Sequence, residues 1–401
     1  MLERIVVVGG SLAGLRTVES LRAGGYDGEL IVVGSETHRP YDRPPLSKKL
    51  LAGEWEPDRI ELRKPDDLDT LGVTWRLGAP ATGLDVGARR LTVADGTEIA
   101  FDAIVIATGA APRRLPGQTD WPHVVELRTI DDALDLRARL RDGDARVVVI
   151  GAGFIGLEVA ATARRLGNTV TVLEGAPAPL IRGLGPAMGA GCAQVHGDYG
   201  TAIHCGISVA AIVAGGVVLG DGELVPADVI VVGIGVAPVT DWLVGSGLEI
   251  RDGIVCDAML NAGAPGVFAA GDVARWPNQL FDEEMRVEHW TNAAEQGAVA
   301  ASNLLAEARG EPGEPYAPVP FFWSDQYDRR IQFLGRAAPD DDVLVVSGSI
   351  EERSFIALYG RARRLRGVLG MNLPRLVMKF RPLLARRAAL DEGVALAAEL
   401  S

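Results

Sequence analysis

Arg146-Val147-Val148-Val149-Ile150-Gly151-Ala152-Gly153-Phe154-Ile155-Gly156 is the stretch whose reading decides the fold. The β-branched apolar run reads as a buried strand and the glycines as a tight turn. Leu157, Val159, Ala160 and Ala163 then mark the inner face of a helix. A second apolar run, Val170-Thr171-Val172-Leu173, ends on Glu174, roughly twenty residues past the turn, the spacing of a βαβ unit that binds a dinucleotide. Glycines let the backbone approach a pyrophosphate, the helix N-terminus favours its negative charge, and the carboxylate suits ribose hydroxyls.

Outward from this stretch, the same arrangement opens the chain. Ile5-Val6-Val7-Val8 enters Gly9-Gly10-Ser11-Leu12-Ala13-Gly14, a helical pattern carries Leu15, Val18 and Leu21, and Leu30-Ile31-Val32-Val33 ends near Glu36. Ser11 stands where the middle glycine of the pattern would be. Two such units in one chain imply two different dinucleotides. Phe101-Asp102-Ala103-Ile104-Val105-Ile106-Ala107-Thr108-Gly109-Ala110 reads as a buried strand closed by a small-residue turn, echoed by Val229 to Gly235, which includes Gly233 and Ile234. Gly266-Val267-Phe268-Ala269-Ala270-Gly271-Asp272 is a short strand ending in glycine and carboxylate, which is either a plain turn or a place where Asp272 could accept bonds from a flavin's ribityl hydroxyls.

Composition bounds what such a chain can be. At 401 residues it has room for two or three domains, and 48% hydrophobic with 23% charged residues puts it among ordinary globular proteins. No uninterrupted apolar run is long enough to span a bilayer, and the N-terminus enters a strand without a basic or cleavable leader, so a cytoplasmic location is expected. A net charge of −13 argues against a general nucleic-acid binder. Between Arg353 and Arg387, however, stand ten Arg or Lys residues and no Asp or Glu. Cys192, Cys205 and Cys256 are too scattered for a disulfide framework or a C-x-x-C site, and the five histidines, His38, His123, His196, His204 and His289, lack metal-ligand spacing, so no metal is expected.

The order and spacing of these segments resemble the two-dinucleotide flavoproteins of glutathione-reductase-like fold. That resemblance implies an α/β architecture of two Rossmann-type dinucleotide-binding domains plus a smaller C-terminal α/β domain. The boundaries expected are residues 1–112 with 241–319 for FAD, 113–240 for NAD, and 320–401 for a C-terminal interface domain. Disulfide reductases of the family carry a redox cysteine pair after the FAD motif, and here that region holds none. It reads instead Arg39-Pro40-Tyr41-Asp42-Arg43-Pro44-Pro45-Leu46-Ser47-Lys48, which resembles the ferredoxin reductases serving ring-hydroxylating dioxygenases and cytochromes P450. Leu127-Arg128-Thr129 with Asp131-Asp132-Ala133, Glu288-His289-Trp290-Thr291-Asn292-Ala293, and Pro320-Phe321-Phe322-Trp323-Ser324-Asp325-Gln326-Tyr327 match the same subfamily.

By that resemblance Lys48 lies beside the reactive flavin nitrogen, where a fixed cation stabilises the anionic reduced ring, and Glu158 pairs with it at the nicotinamide pocket. Arg43 and Arg128 contact FAD, and Trp290 and Trp323 lie near the ring. The wider FAD set is Gly9, Ser11, Leu12, Ala13, Gly14, Glu36, Ala107, Thr108, Gly109, Asp272, Val273 and Ala293. The NAD set is Gly151, Gly153, Phe154, Ile155, Gly156, Glu158, Glu174, Gly233, Ile234 and Gly235. The plainer alternatives are a solvated helix carboxylate for Glu158, exposed arginines, and core-filling tryptophans. Glu174 favours NADH, because it would face a 2′-phosphate with like charge, and no arginine follows it before Arg182.

The implied activity is hydride transfer from NADH to FAD followed by single-electron transfer to an iron–sulfur ferredoxin, by a monomer or homodimer. Arg361, Arg363, Arg364 and Arg366, or Arg59, Arg63 and Lys64, could steer an acidic partner, or be a solvated face. Two other readings share the scaffold: an NADH oxidase or rubredoxin reductase, and a redox interaction protein of the apoptosis-inducing-factor type.

Overall fold

The computed structural model describes residues 2–400. Strand β1 (Arg4–Val8) is buried from Ile5 to Val8. A strand buried on both faces needs neighbours that themselves cover it with helices, which is the condition of a parallel sheet. Its neighbours are β2 (Glu29–Val33) on one side and Ala103–Ile106 on the other, both parallel, and helix α1 (Leu12–Ala23) makes the crossover. Val73–Arg76, beyond β2, and Val267–Ala269 extend this sheet in parallel, and Asn261–Ala264 closes it as an antiparallel edge. These strands belong to a compact unit made of the chain up to Asp42, Ile60–Ala111 and Ala237–Pro320. Helix Trp290–Arg309 packs on α1, where a Cβ on Gly297 would collide with the Ala13 carbonyl.

A second unit comprises Arg43–Arg59, Pro112–Val236 and the chain from Phe321 onward. Its parallel sheet is built around β3 (Arg146–Ile150), flanked by β4 (Thr169–Glu174) and Val229–Val232, with α2 (Phe154–Arg165) as crossover. Ala202–Cys205 and Val124–Glu126 complete the five strands, all parallel. The repeat heard in the sequence extends to its fastenings. Asp102 Oδ2 accepts the backbone N–H groups of Glu3 and Arg4, at 2.7 and 2.8 Å, at the foot of the first sheet. Asp228 Oδ2 accepts that of Arg146 at 2.8 Å at the foot of the second. Hydrogen bonds to the charged form hold both carboxyls below their usual range, with the Arg146 side chain taking Asp228 to about 2.

In the same unit the chain from Phe321 forms an antiparallel sheet. Its order is β5 (Phe321–Gln326), Arg329–Gly335, Arg364–Met371, Ser354–Arg361 and Asp342–Ser349, followed by short helices. Strand β5 is tied to α3 (Pro186–Asp198). His196 Nε2 lies 3.0 Å from Gln326 Oε1, and Tyr327 stacks on Tyr199 with centroids 4.0 Å apart. Burial pushes the His196 imidazole down to about 4 from 6.5. The folded form therefore stays neutral where the unfolded chain binds a proton. The stability this contributes is full above pH 6.5 and declines as pH falls toward 4, by roughly 3 kcal/mol at the limit. Urea midpoints of wild type and His196→Asn at pH 7.5 and pH 5 check this: the wild-type decline should be clearly the steeper, and equal declines would refute it.

Candidate functional site

Each unit carries a glycine turn shaped by close approach of its own backbone. In the first, Gly9 adopts φ +123°, and a Cβ there would lie well under 3.0 Å from the Ala107 carbonyl oxygen. In the second, Gly151 adopts φ +105° and stands in the same relation to the Gly233 carbonyl. Residues 107–109 and 233–235 thus occupy matching places, each beside the turn that ends the unit's central strand. Gly14 and Gly156 sit one helical turn on, each against the carbonyl of the first glycine, which is why the helix can lie so near the strand.

The middle position of the two turns explains Ser11. Its φ of −110° and ψ of −157° are extended backbone that any residue adopts. At Gly153 a Cβ would meet no protein atom within 4 Å. The fold itself therefore tolerates a small side chain there, and the open space lies in front of a helix N-terminus. At neither Ser11 nor Gly153 does a side chain accept a capping hydrogen bond from the first-turn amides. First-turn amides left without a capping side chain at a helix N-terminus suit the oxygens of a pyrophosphate, so both turns fit a dinucleotide.

Other expected residues gather around these turns. In the first unit Gly271 faces Ala13 and Ala293, with a Cβ at Gly271 only 3.1 and 3.7 Å from theirs. Asp272 and Val273 thereby follow directly beside the N-terminal parts of α1 and of Trp290–Arg309, while Leu12 is buried. Thr108 Oγ1 donates to the Val239 carbonyl at 2.9 Å, and Val239 N–H donates to the Gly109 carbonyl at 3.0 Å. The Tyr41 hydroxyl donates to Glu36, and Trp290 Nε1 donates to Asp42 Oδ1 at 2.6 Å.

In the second unit Glu174 Oε2 accepts from Ala152 N–H at 2.6 Å and Oε1 from Ala176 N–H at 2.7 Å. The carboxylate is fixed across the glycine turn, with lone pairs remaining on each oxygen for hydroxyl donors. Phe154 packs edge-on against Phe322 at 4.7 Å, Ile155 is 46% exposed on the turn, and Ile234 lies against the sheet core. Arg182, the first arginine after Glu174, brings Nη1 to 3.3 Å from where a Cβ of Gly235 would stand. That gives the second turn a positive group, and its signal in the sequence was only its distance from Glu174.

Arg43, Lys48 and Arg128 belong to the second unit. The Arg43 guanidinium donates to the Arg128 carbonyl, and Arg128 N–H donates to Asp132 Oδ2 at 3.0 Å. Lys48 follows the short helical turn Pro44–Ser47 and reaches Glu158 Oε2 at 2.7 Å. Glu158 is only 5% exposed although it sits one turn into α2, so it is no solvated helix carboxylate. Ser47 Oγ donates to the same oxygen, and Ser324 Oγ donates to Oε1 at 2.7 Å. Trp323 is half-buried on β5 next to Ser324. A charge buried this deeply requires a counter-ion and hydrogen bonds, and Glu158 has both.

The basic groups considered for steering are largely engaged within their own units. Arg361 pairs with Asp340 and Asp341 at 2.8 and 2.9 Å, Arg363 with Asp391 at 2.7 Å, and Arg366 is 8% exposed. Arg63 pairs with Glu19, and Arg59 and Lys49 lie 4.9 and 4.5 Å from the centroid of the Trp55 ring. Burial raises the Cys192 and Cys256 thiols to about 12, and Cys205 is also raised, so none supplies a thiolate at neutral pH. Among the described residues no helix is long and apolar enough to cross a membrane.

Comparison with known proteins agrees with this geometry. Residues 3–297 match the pyridine nucleotide-disulphide oxidoreductase family and residues 321–400 the reductase C-terminal family. The chain is 37% identical to the anthranilate 1,2-dioxygenase system ferredoxin–NAD(+) reductase component of Burkholderia cepacia, over 96% of this chain and 95% of that protein. The structure of the ferredoxin reductase for the CYP199A2 system from Rhodopseudomonas palustris is similar with a TM-score of 0.92, at 34% identity and full coverage of both chains. A covalent putidaredoxin reductase–putidaredoxin complex is similar with a TM-score of 0.90, at 32% identity over 96% of this chain and 93% of that one. With both glycine turns, the buried Lys48–Glu158 pair and these matches along nearly its whole length, the chain belongs to the pyridine nucleotide-disulphide oxidoreductase family.

Proposed function

We propose that the chain is an FAD-dependent NADH:ferredoxin reductase that passes electrons to a ferredoxin supplying a cytochrome P450 or a ring-hydroxylating dioxygenase, in the cytoplasm. The observation that carries the reading is the buried Lys48–Glu158 pair in a chain without a usable cysteine pair. A disulfide reductase needs thiols in this region, and here a fixed cation is offered in their place. The ferredoxin–NAD(+) reductase named above and the putidaredoxin complex support the choice of partner. FAD, when bound, accepts a hydride and releases its electrons one at a time, which joins a two-electron donor to an iron–sulfur acceptor.

The residues of the chain bind and orient. The Gly9 turn, Glu36 and Asp272 would hold FAD, with Arg43 and Arg128 as further contacts. The Gly151 turn, Glu174 and Arg182 would hold NADH. Lys48, held by Glu158, supplies fixed positive charge where the ring receives its electrons. Hydride transfer asks for no protein nucleophile, so orientation of the two cofactors supplies most of the acceleration.

The test is anaerobic stopped-flow of the purified yellow protein with NADH and with NADPH, followed by mixing with a series of oxidised one-electron acceptors that includes ferredoxins. Rapid bleaching by NADH and reoxidation by a ferredoxin is the expected result. A protein without flavin, or a reduced form inert to every ferredoxin tried, overturns the reading. Glu174 sets the coenzyme arm: Glu174→Ala removes the hydroxyl acceptor and the repulsion toward a 2′-phosphate. The preference for NADH over NADPH, read as the ratio of kcat/KM values, should fall about tenfold to a hundredfold. An unchanged ratio would remove Glu174 from the specificity assignment.

A further inference from the structure

The hydrogen bonds that meet at Glu158 continue deeper into the second unit. Ser324 Oγ, which donates to Glu158 Oε1, itself lies 3.2 Å from Gln326 Nε2, and Gln326 Oε1 lies 3.0 Å from His196 Nε2. Ser324, Gln326 and His196 are each 0% exposed. Donor and acceptor types fix the direction of this chain. The Gln326 amide donates to Ser324, so its carbonyl oxygen faces His196, whose Nε2 must carry the proton. A neutral imidazole satisfies that requirement, with Nδ1 buried and unbonded among the described residues. Read in order, His196 donates to Gln326, Gln326 to Ser324, and Ser324 to Glu158, while Ser47 and Lys48 donate to the other carboxylate oxygen.

Every donor in the array therefore points to one carboxylate. Strand β5 supplies Ser324 and Gln326 from the same face, two residues apart, and α3 supplies His196 behind them. Without Ser324, Glu158 Oε1 loses the one donor it has among the described residues and Gln326 Nε2 its acceptor, both buried. The carboxylate would then be free to turn about its terminal torsion, and the Lys48 ammonium would follow it.

We propose that Ser324, backed by Gln326 and His196, is a positioning residue that holds Glu158 in one orientation as the carboxylate and, through it, fixes the Lys48 ammonium for reduction of FAD by NADH. The proposal rests on the NADH-driven reading above. It places a requirement of the nucleotide reaction in the antiparallel sheet of residues 321–371, a segment that supplies neither the Gly9 turn nor the Gly151 turn.

The test uses FAD-loaded protein and four variants: Ser324→Ala, Ser324→Thr, Glu158→Gln, and Ser324→Ala combined with Glu158→Gln. In stopped-flow, Ser324→Ala should lower the limiting rate of flavin reduction about tenfold, with the NADH concentration at half-maximal rate changed by less than about twofold. Ser324→Thr, which keeps the hydroxyl, should recover most of the rate. In the Glu158→Gln background, Ser324→Ala should add less than about a twofold further loss, because a residue acting only through Glu158 is not additive with it. A second readout needs no turnover. Brief acetylation followed by mass spectrometry should label Lys48, relative to Lys64, several-fold faster in Ser324→Ala than in wild type.

Fully multiplicative losses in the double variant, or Lys48 labelling identical in Ser324→Ala and wild type, overturns the proposal. So does a Ser324→Ala protein with wild-type reduction rate. Failure of the NADH reading itself looks different: the wild-type flavin would not bleach with NADH, and the acetylation contrast alone would then decide whether Ser324 positions Lys48.

Discussion

Lys48→Met should slow reduction of bound FAD by NADH about a hundredfold while FAD remains bound. The side chain reaches Glu158 at 2.7 Å and is 17% exposed, so its charge acts where solvent screening is weak. A fixed charge aimed at developing negative charge is worth two to three orders of magnitude in comparable sites. Methionine keeps the length and apolar stem and removes only the ammonium. It also leaves Glu158 buried with two serine donors and no cation, which should cost about 3 kcal/mol of stability. That loss should appear as a lower urea midpoint. Glu158→Gln, which keeps Lys48 and the shape of the partner, should lose less rate than Lys48→Met. Stopped-flow at 450 nm measures both, and a Lys48→Met rate within about threefold of wild type would remove the lysine from the reaction.

Gly9→Ala is expected to give a protein that does not retain FAD. The added methyl would sit inside contact distance of the Ala107 carbonyl oxygen, a backbone atom that cannot rotate away. At φ +123° the residue would also occupy backbone space that L side chains rarely adopt. Strain and clash together should cost on the order of 3 kcal/mol and displace the turn from its matching strand. Gly10→Ala is the control one residue away. Its nearest neighbour would be the Leu77 Cδ2 methyl at 3.3 Å, the end of a flexible side chain. Absorbance at 450 nm per mole of purified protein and the thermal midpoint distinguish them. Gly9→Ala should be nearly colourless and less stable, and Gly10→Ala yellow. A yellow, normally stable Gly9→Ala would contradict the steric account.

Both glycine turns were legible because strand, turn and helix are each decided within about thirty residues. Apolar runs without alternation imply strands buried on both faces, and those of β1 and β3 are central in their parallel sheets. Ser11 was readable as a departure but not as a harmless one. Its extended backbone and the open space at Gly153 show that the middle position is constrained by what lies in front of the helix, not by the fold.

For the C-terminal arginines the sequence shows the charges but not their partners. A run of ten basic residues reads as a charged region, yet its partners Asp340, Asp341, Asp391 and Asp198 all lie outside the run. Folding brings those acids to it, and Arg353 pairs with Asp198 across 155 positions of sequence.

By itself, the sequence determined the two βαβ units, the carboxylates that end their second strands, the absence of a cysteine pair, and the segments that carry the family resemblance. These follow from periodicity, residue type and short spacing. Only the tertiary structure decided that Glu158 is buried, that Ser47 and Ser324 join Lys48 on its oxygens across separations of 111 and 166 residues, and that His196 stands at the end of the same chain of donors. A serine or histidine carries no local sign of which buried carboxylate it serves, because that choice is made by packing, where an unpaired polar group is costly enough to select its partner from anywhere in the chain.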